Sequence, residues 1–116
     1  MKDCLFCKIV RGEIPSRKVY EDDDVLAFHD IRPSAPVHFL IMPKLHVASL
    51  YDGDATHGPV LGKIMALSGR LAQEQGARDG FRTIINTGRV GRQEVYHVHV
   101  HIIGGPEVLP RMIVRK

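Results

Sequence analysis

A chain of 116 residues with 44% apolar content is the size of one globular domain, long enough to close a single core without disulfide staples. No apolar run reaches membrane-spanning length, and Met1-Lys2-Asp3-Cys4 opens without the apolar stretch of a signal peptide, so a cytoplasmic protein with no membrane partner is expected. The net charge of +3 is mild and spread out apart from Arg111, Arg115 and Lys116, and only 6% of the residues are aromatic; that combination argues against nucleic acid and suits a small phosphate-bearing molecule.

In chain order, Cys4-Leu5-Phe6-Cys7 opens a short helix or turn that ends at Gly12, where a left-handed cap costs glycine little. The CxxC pair points to metal or redox work rather than a structural disulfide in a reducing compartment. Redox work is disfavoured, because no helix-capping context with a preceding strand is evident. Val19-Tyr20 reads as a short edge strand, the acidic turn 21–24 follows, and Val25 to Asp30 reads as a buried strand. His38 to Met42 forms a further strand stopped by Pro43, antiparallel to its predecessor, with Lys44-Leu45-His46 at its end. Residues 49–58 are polar and loop-like, with His57 exposed at the start of the next helix and without a role. From Pro59 to Gly76 the period becomes helical, with Val60, Leu61, Ile64, Met65, Leu71 and Ala72 on one stripe facing the core. Phe81 to Thr87 is the next strand, and the glycine-containing loop 88–94 leads straight into His97-Val98-His99-Val100-His101. Such a loop presents backbone N–H groups to anions. Residues 106–116 show no period and read as an arm or tail.

On a strand, alternation puts His97, His99 and His101 on one face and the valines, with Ile102, on the other. A strand needing only burial would not line up three titratable rings, so the cluster reads as chemical or metal-binding; a hydrogen-bonded structural cluster is the bland alternative. A metal-activated hydrolase using the three histidines as ligands is a rival, weakened because such sites recruit carboxylates and only Glu94 is near. Strands grouped around one long helix without strand-helix repetition give an α+β fold with an antiparallel sheet.

The run His97-x-His99-x-His101 followed by Ile102-Ile103 resembles the histidine triad family. Phe28-His29-Asp30-Ile31, Ala35-Pro36-Val37-His38, Pro43-Lys44-Leu45-His46, Asn86 and Gln93-Glu94-Val95-Tyr96 look like its Hint branch in order and spacing, over residues 4–106. The resemblance implies one HIT domain with an antiparallel sheet of about five strands, one long helix and a short amino-terminal helix, residues 107–116 forming a tail. It implies a homodimer, and hydrolysis or transfer at the α-phosphate of purine nucleoside phosphoramidates or acyl-AMP, as in the purine nucleoside phosphoramidases. A nucleotide-binding or scaffolding module with incidental turnover is the non-enzymatic alternative.

In the roles the resemblance implies, His99 attacks phosphorus and forms a nucleotidyl-histidine, its other ring nitrogen donating to a backbone carbonyl, while His101 binds the phosphate. Gln93 and the N–H groups near Glu94 and Val95 hold the phosphoryl oxygens or leaving group, and Asn86 faces the phosphate. Asp30 accepts the ribose hydroxyls; Phe28, His29 and Ile31 wall the base pocket. Gly91-Arg92-Gln93 departs from the Gly-Gly-Gln of relatives, leaving its backbone less free, and Glu94 stands where some relatives have serine. Zinc-containing relatives further imply a structural zinc on Cys4, Cys7, His46 and His97, with no organic cofactor. His38 then supports His97 from the neighbouring strand, or pairs with it should no zinc bind.

Overall fold

The apolar runs pair into one sheet whose two faces are sorted by side-chain alternation. The computed structural model describes residues 4–113. In chain order it contains α1 (Leu5–Val10), β1 (Lys18–Glu21), β2 (Val25–His29), β3 (Val37–Pro43), two 3-10 turns (Leu50–Asp52 and Ala55–His57), α2 (Gly58–Glu74), β4 (Phe81–Ile84) and β5 (Val100–Gly104). The sheet order is β1-β2-β3-β5-β4, every pair antiparallel. The α+β class, the five strands, the long helix and the short first helix are as the sequence reads.

On one face, Val25, Ala27, Phe39, Ile41, Val100 and Ile102 pack with Ile64, Leu71 and Ala72 of α2. On the other, Leu26, Phe28, Leu40 and Met42 pack with Phe6 and Ile9 of α1. Period two is obeyed along each central strand, so α2 covers one side and the amino-terminal helix covers the other. His38 and His101 belong to this second side, in a sheet where His38 pairs with Ile103 and Leu40 with His101 across the β3–β5 ladder.

Several boundaries and placements differ from the sequence reading; β3, for one, takes in Val37 and Pro43, and β2 ends at His29. The ladder of β5 begins at Val100, so His97 and His99 precede it, held instead by Val98 N–H donating to the Val47 carbonyl at 2.7 Å. β4 stops at Ile84 rather than Thr87, since Asn86 turns its amide to the Gly91 carbonyl at 2.8 Å and starts the loop. Met65 is 43% exposed, and Ser68 lies on the buried stripe in its place. The cause is angular: at 100° per residue Met65 falls past the edge of the arc shared by Ile64, Ser68, Leu71 and Ala72. His57 is not an exposed bystander either, because its Nδ1 accepts the Asp54 N–H at 3.0 Å while Asp54 caps Thr56, a reciprocal capping box that leads into α2.

Lys63 of α2 bridges Asp22 at 2.7 Å and Asp24 at 3.0 Å, tying the helix to the β1–β2 turn. Asp22 also accepts the Tyr20 hydroxyl and the N–H groups of Asp24 and Val25, and these donors, Lys63 foremost, hold its carboxyl below the usual range. No described helix is long and apolar enough to cross a membrane.

The angular argument is checked by paired substitutions in α2. Ile64→Ala should lose about 2–5 kcal/mol in urea unfolding, as for a fully buried aliphatic side chain, and Met65→Ala less than about 1 kcal/mol. Equal losses would put Met65 in the core.

Candidate active site and metal centre

Two adjoining clusters occupy the α1 side of the sheet, and His97 belongs to both. Its side chain is fully buried. The His97 Nε2–H group donates to the Pro43 carbonyl at 2.7 Å, which leaves the Nδ1 lone pair facing the sulfurs of Cys4 and Cys7, each at 3.5 Å. His46, carried past the end of β3, brings its Nδ1 to 3.3 Å from the Cys7 sulfur. The four ligand atoms lie within 4.8 Å of one another. Two sulfurs and two imidazole nitrogens form a donor set suited to a tetrahedral ion, and the carbonyl behind His97 is the outer partner that fixes a ligating tautomer. The residues therefore fit a metal ion. Burial and the neighbouring Cys4 push the Cys7 thiol up to about 11, so an incoming ion displaces a proton there.

Two residues on, the His99 Nδ1–H group donates to the carbonyl of His97 at 2.8 Å. This leaves Nε2 of His99 as the free lone pair. Burial lowers the His99 pKa, opposed by that hydrogen bond and by the charges of Asp30 and Glu94. A neutral, desolvated imidazole with one committed nitrogen is a nucleophile ready at neutral pH.

His101 is set by a chain of donors. The Ser34 N–H donates to His38 Nδ1 at 2.9 Å, so neutral His38 carries its proton on Nε2 and donates it to His101 Nδ1 at 2.9 Å. Neutral His101 then bears its proton on Nε2, a donor available to an anion. Its pKa is pulled down to about 4, first by burial and then by the charges of His99 and His38. Asp30 lies 3.4 Å from His38 Nε2, with its other oxygen accepting the Arg32 N–H at 2.8 Å. Asp30, His38 and His101 are close enough to hold a cation. The donor at Ser34 argues against it, since a metal would need a lone pair where neutral His38 keeps its proton. The structure thus corrects one expectation: the partner of His38 is His101, and His97 has Pro43, Cys4 and Cys7 instead.

The loop before the histidines is braced from within. Gln93, 7% exposed, accepts the Gly88 N–H at 2.9 Å and donates to the carbonyls of Ala48 at 2.7 Å and Val95 at 3.0 Å. Its amide is fully engaged with backbone, so in this arrangement it shapes the loop rather than reaching toward a ligand. Gly91 sits where any Cβ would collide with the Thr87 carbonyl. Arg92 follows with φ of 63°, the one non-glycine among the described residues in the left-handed region. The turn that glycine adopts freely is kept here at a cost of about 1 kcal/mol. Glu94 is exposed and Val95 half-buried, at the edge of the His99 surroundings.

Of the expected base-pocket residues, Phe28 is buried in the α1-side cluster, His29 is half-buried, and Ile31 is 93% exposed at the rim. Phe6 was missed. Its ring meets Phe28 edge-on at 5.5 Å and His99 at 5.0 Å, placing it between the two. A helix-period apolar residue next to two candidate ligands gives no sign in sequence of which histidine ring it touches.

The chain matches the HIT domain family over residues 11–108 and belongs to that family. It is 45% identical over 112 residues to the purine nucleoside phosphoramidase of Escherichia coli K12, covering 96% of this chain and 94% of that protein. It superposes with a TM-score of 0.89 on a histidine triad protein from Clostridium difficile, 46% identical, covering 97% of this chain and 98% of that one. A zinc-bound histidine triad family protein from Mycobacterium smegmatis superposes with a TM-score of 0.78 at 34% identity, covering 90% of this chain and 76% of that one.

Burial lowers the pKa of His29, His38, His97, His99 and His101 together. Each is neutral in the folded chain where the unfolded chain is protonated, so unfolding takes up protons and stability rises with pH across that window. Stability is therefore fully present above about pH 6.5 and is lost as pH falls toward the folded values, near 4 for His101. Melting temperatures of the metal-free chain between pH 7.5 and 4.5 should fall steadily; a flat profile would mean these rings are solvated.

Proposed function

We propose that the chain is a nucleotide hydrolase or transferase acting at the α-phosphate of purine nucleoside phosphoramidates or acyl-AMP. The observation that carries this is the fixed tautomer of His99: with Nδ1 committed to the His97 carbonyl, Nε2 is the nucleophile. In the proposed sequence Nε2 attacks phosphorus, the bond to the amine or acyl oxygen breaks, and the leaving group departs, an amine taking up a proton from solvent water as it does so. Water then attacks phosphorus, releasing its proton to solvent, and His99 leaves with its Nδ1 proton still held. The Nε2–H of His101 donates to a non-bridging phosphoryl oxygen, and its low pKa keeps the ring neutral at neutral pH, so no second proton competes with the adjacent nucleophile.

The N–H groups at Glu94 and Val95 are assigned to the remaining oxygens, with Gln93 as the residue that positions them and Asn86 bracing the same loop. Asp30 keeps one oxygen for the ribose hydroxyls, and Phe28 with Phe6, His29 and Ile31 surrounds the base. The identity with the Escherichia coli phosphoramidase supports the substrate class. We assign Cys4, Cys7, His46 and His97 to a zinc ion, supported by the zinc-bound relative and the donor set. Bound there, zinc supplies structural cross-linking of the amino terminus to the His97 segment. The working form is proposed to be a cytoplasmic homodimer, a reading suited to the unpaired outer edge of β4.

A single turnover with labelled adenosine phosphoramidate should trap an AMP adduct that is lost in His99→Ala, with turnover down about 10³-fold or more. Hydrolysis retained in that variant would remove His99 from the reaction. Metal analysis of the pure protein should give one zinc per chain. Brief EDTA treatment should leave the folded enzyme active, whereas a metal-activated hydrolase would stop at once.

A further inference from the structure

Metal ligation does not exhaust the chemistry of the two cysteines. Cys4 is the N-cap residue of α1, and its sulfur accepts the Cys7 N–H at 3.2 Å. The sequence does not reveal this cap, although among the described residues no strand precedes it. Their sulfurs lie within 4.8 Å of one another, and residues three apart on a helical turn have Cα atoms about 5–6 Å apart, a span a disulfide can bridge. Cys4 is half-exposed and Cys7 buried, so an oxidant in solution meets Cys4 first and Cys7 is placed to resolve the product.

Two connections run from this pair to the nucleophile. Phe6 lies between the cysteines in sequence, is 5% exposed, and presses edge-on against His99 at 5.0 Å. His97, whose Nδ1 faces both sulfurs, provides the carbonyl that holds His99 Nδ1–H. Whatever moves the first turn of α1 acts on His99 from two sides.

We propose that Cys4 and Cys7 form a reversible oxidation site: a disulfide between them withdraws both sulfur ligands from the metal and shifts Phe6 and the His97 segment against His99. With hydrogen peroxide as oxidant, the Cys4 sulfur attacks one peroxide oxygen, the O–O bond breaks, and the first water leaves. The Cys7 sulfur then attacks the sulfenic sulfur of Cys4; the S–S bond forms, the S–O bond breaks, and the second water leaves, each water completed by a proton from a free thiol or, for sulfurs held by the metal as thiolates, from solvent. Two sulfurs lose two electrons and peroxide gains them. Only His46 and His97 then remain as ligands, half a tetrahedral set, so the ion is released. A dithiol reductant reverses the change. The metal part rests on the zinc assignment above; the disulfide and its effect on His99 are read separately.

The test uses the full zinc-loaded chain and one equivalent of peroxide, without substrate. Expected are the loss of two thiols per chain, a mass decrease of about 2 Da in a monomeric chain, release of one zinc, and displaced ring signals of His99 in NMR that return on reduction. On the same samples kcat should fall roughly tenfold or more upon oxidation with KM changed less, and Cys4→Ser should show no peroxide response. Sulfinic products, chains cross-linked to one another, global unfolding by circular dichroism, or a disulfide that leaves His99 signals unmoved would each overturn the proposal. These readings on the wild-type chain stand even if Cys4→Ser does not fold. A chain purified without zinc that still forms the disulfide and moves His99 upholds the switch and removes the zinc assignment; a chain without nucleotide hydrolysis still reports through His99.

Discussion

The hydrogen bond from the His99 ring to the carbonyl of His97 is the constraint on which the site depends. An imidazole offers two equivalent nitrogens until one is committed, and only a buried acceptor of fixed position commits it. That acceptor comes from the residue two before in the same extended segment, so ring and acceptor cannot drift apart without breaking the segment itself. The segment in turn is held on its far side by Val98 bonding to Val47, and by the His97 ring bonding to Pro43. The end of β3 and its continuation thus serve as a template against which the first two histidines are laid before β5 begins.

The same logic extends outward by donors of fixed direction. A backbone N–H at Ser34 settles the proton of His38, which settles the proton of His101. Two neighbouring imidazoles therefore present opposite functions, a lone pair on one and an N–H on the other, although their sequence neighbourhoods are almost identical. Burial lowers the pKa of both rings and keeps that division of labour intact at neutral pH.

Much of this was legible from the residues. Alternation gave the two faces of β5 correctly, with Val100 and Ile102 toward α2 and His101 on the opposite side, because successive side chains of a strand must point to opposite faces. The candidate ligand set of Cys4, Cys7, His46 and His97 followed from likeness to relatives, and the four are brought together from three separate stretches of chain, where they could hold a metal ion. What could not be read was pairing that depends on direction rather than residue type: His38 choosing His101 over His97, or Phe6 reaching His99. Nor did spacing reveal that Gln93 turns inward, because an amide serves a ligand and a backbone carbonyl equally well. Met65 and His57 were misplaced for a simpler reason. A helical stripe drawn from apolar residues alone overlooks Ser68, and a polar residue at a helix entrance can be a cap instead of a solvated side chain.

The bracing of residues 88–95 by Gln93 has a thermodynamic consequence for ligand recognition. A loop fixed by three bonds from one side-chain amide has already given up its conformational freedom when the chain folds, so closing it around an anion demands little further ordering. In the proposed function, affinity for the phosphate would then reflect contact strength more than loop entropy. The tip at Arg89 and Val90, outside the braced bonds that Gln93 makes, is left free to change in composition without altering the shape of the cradle.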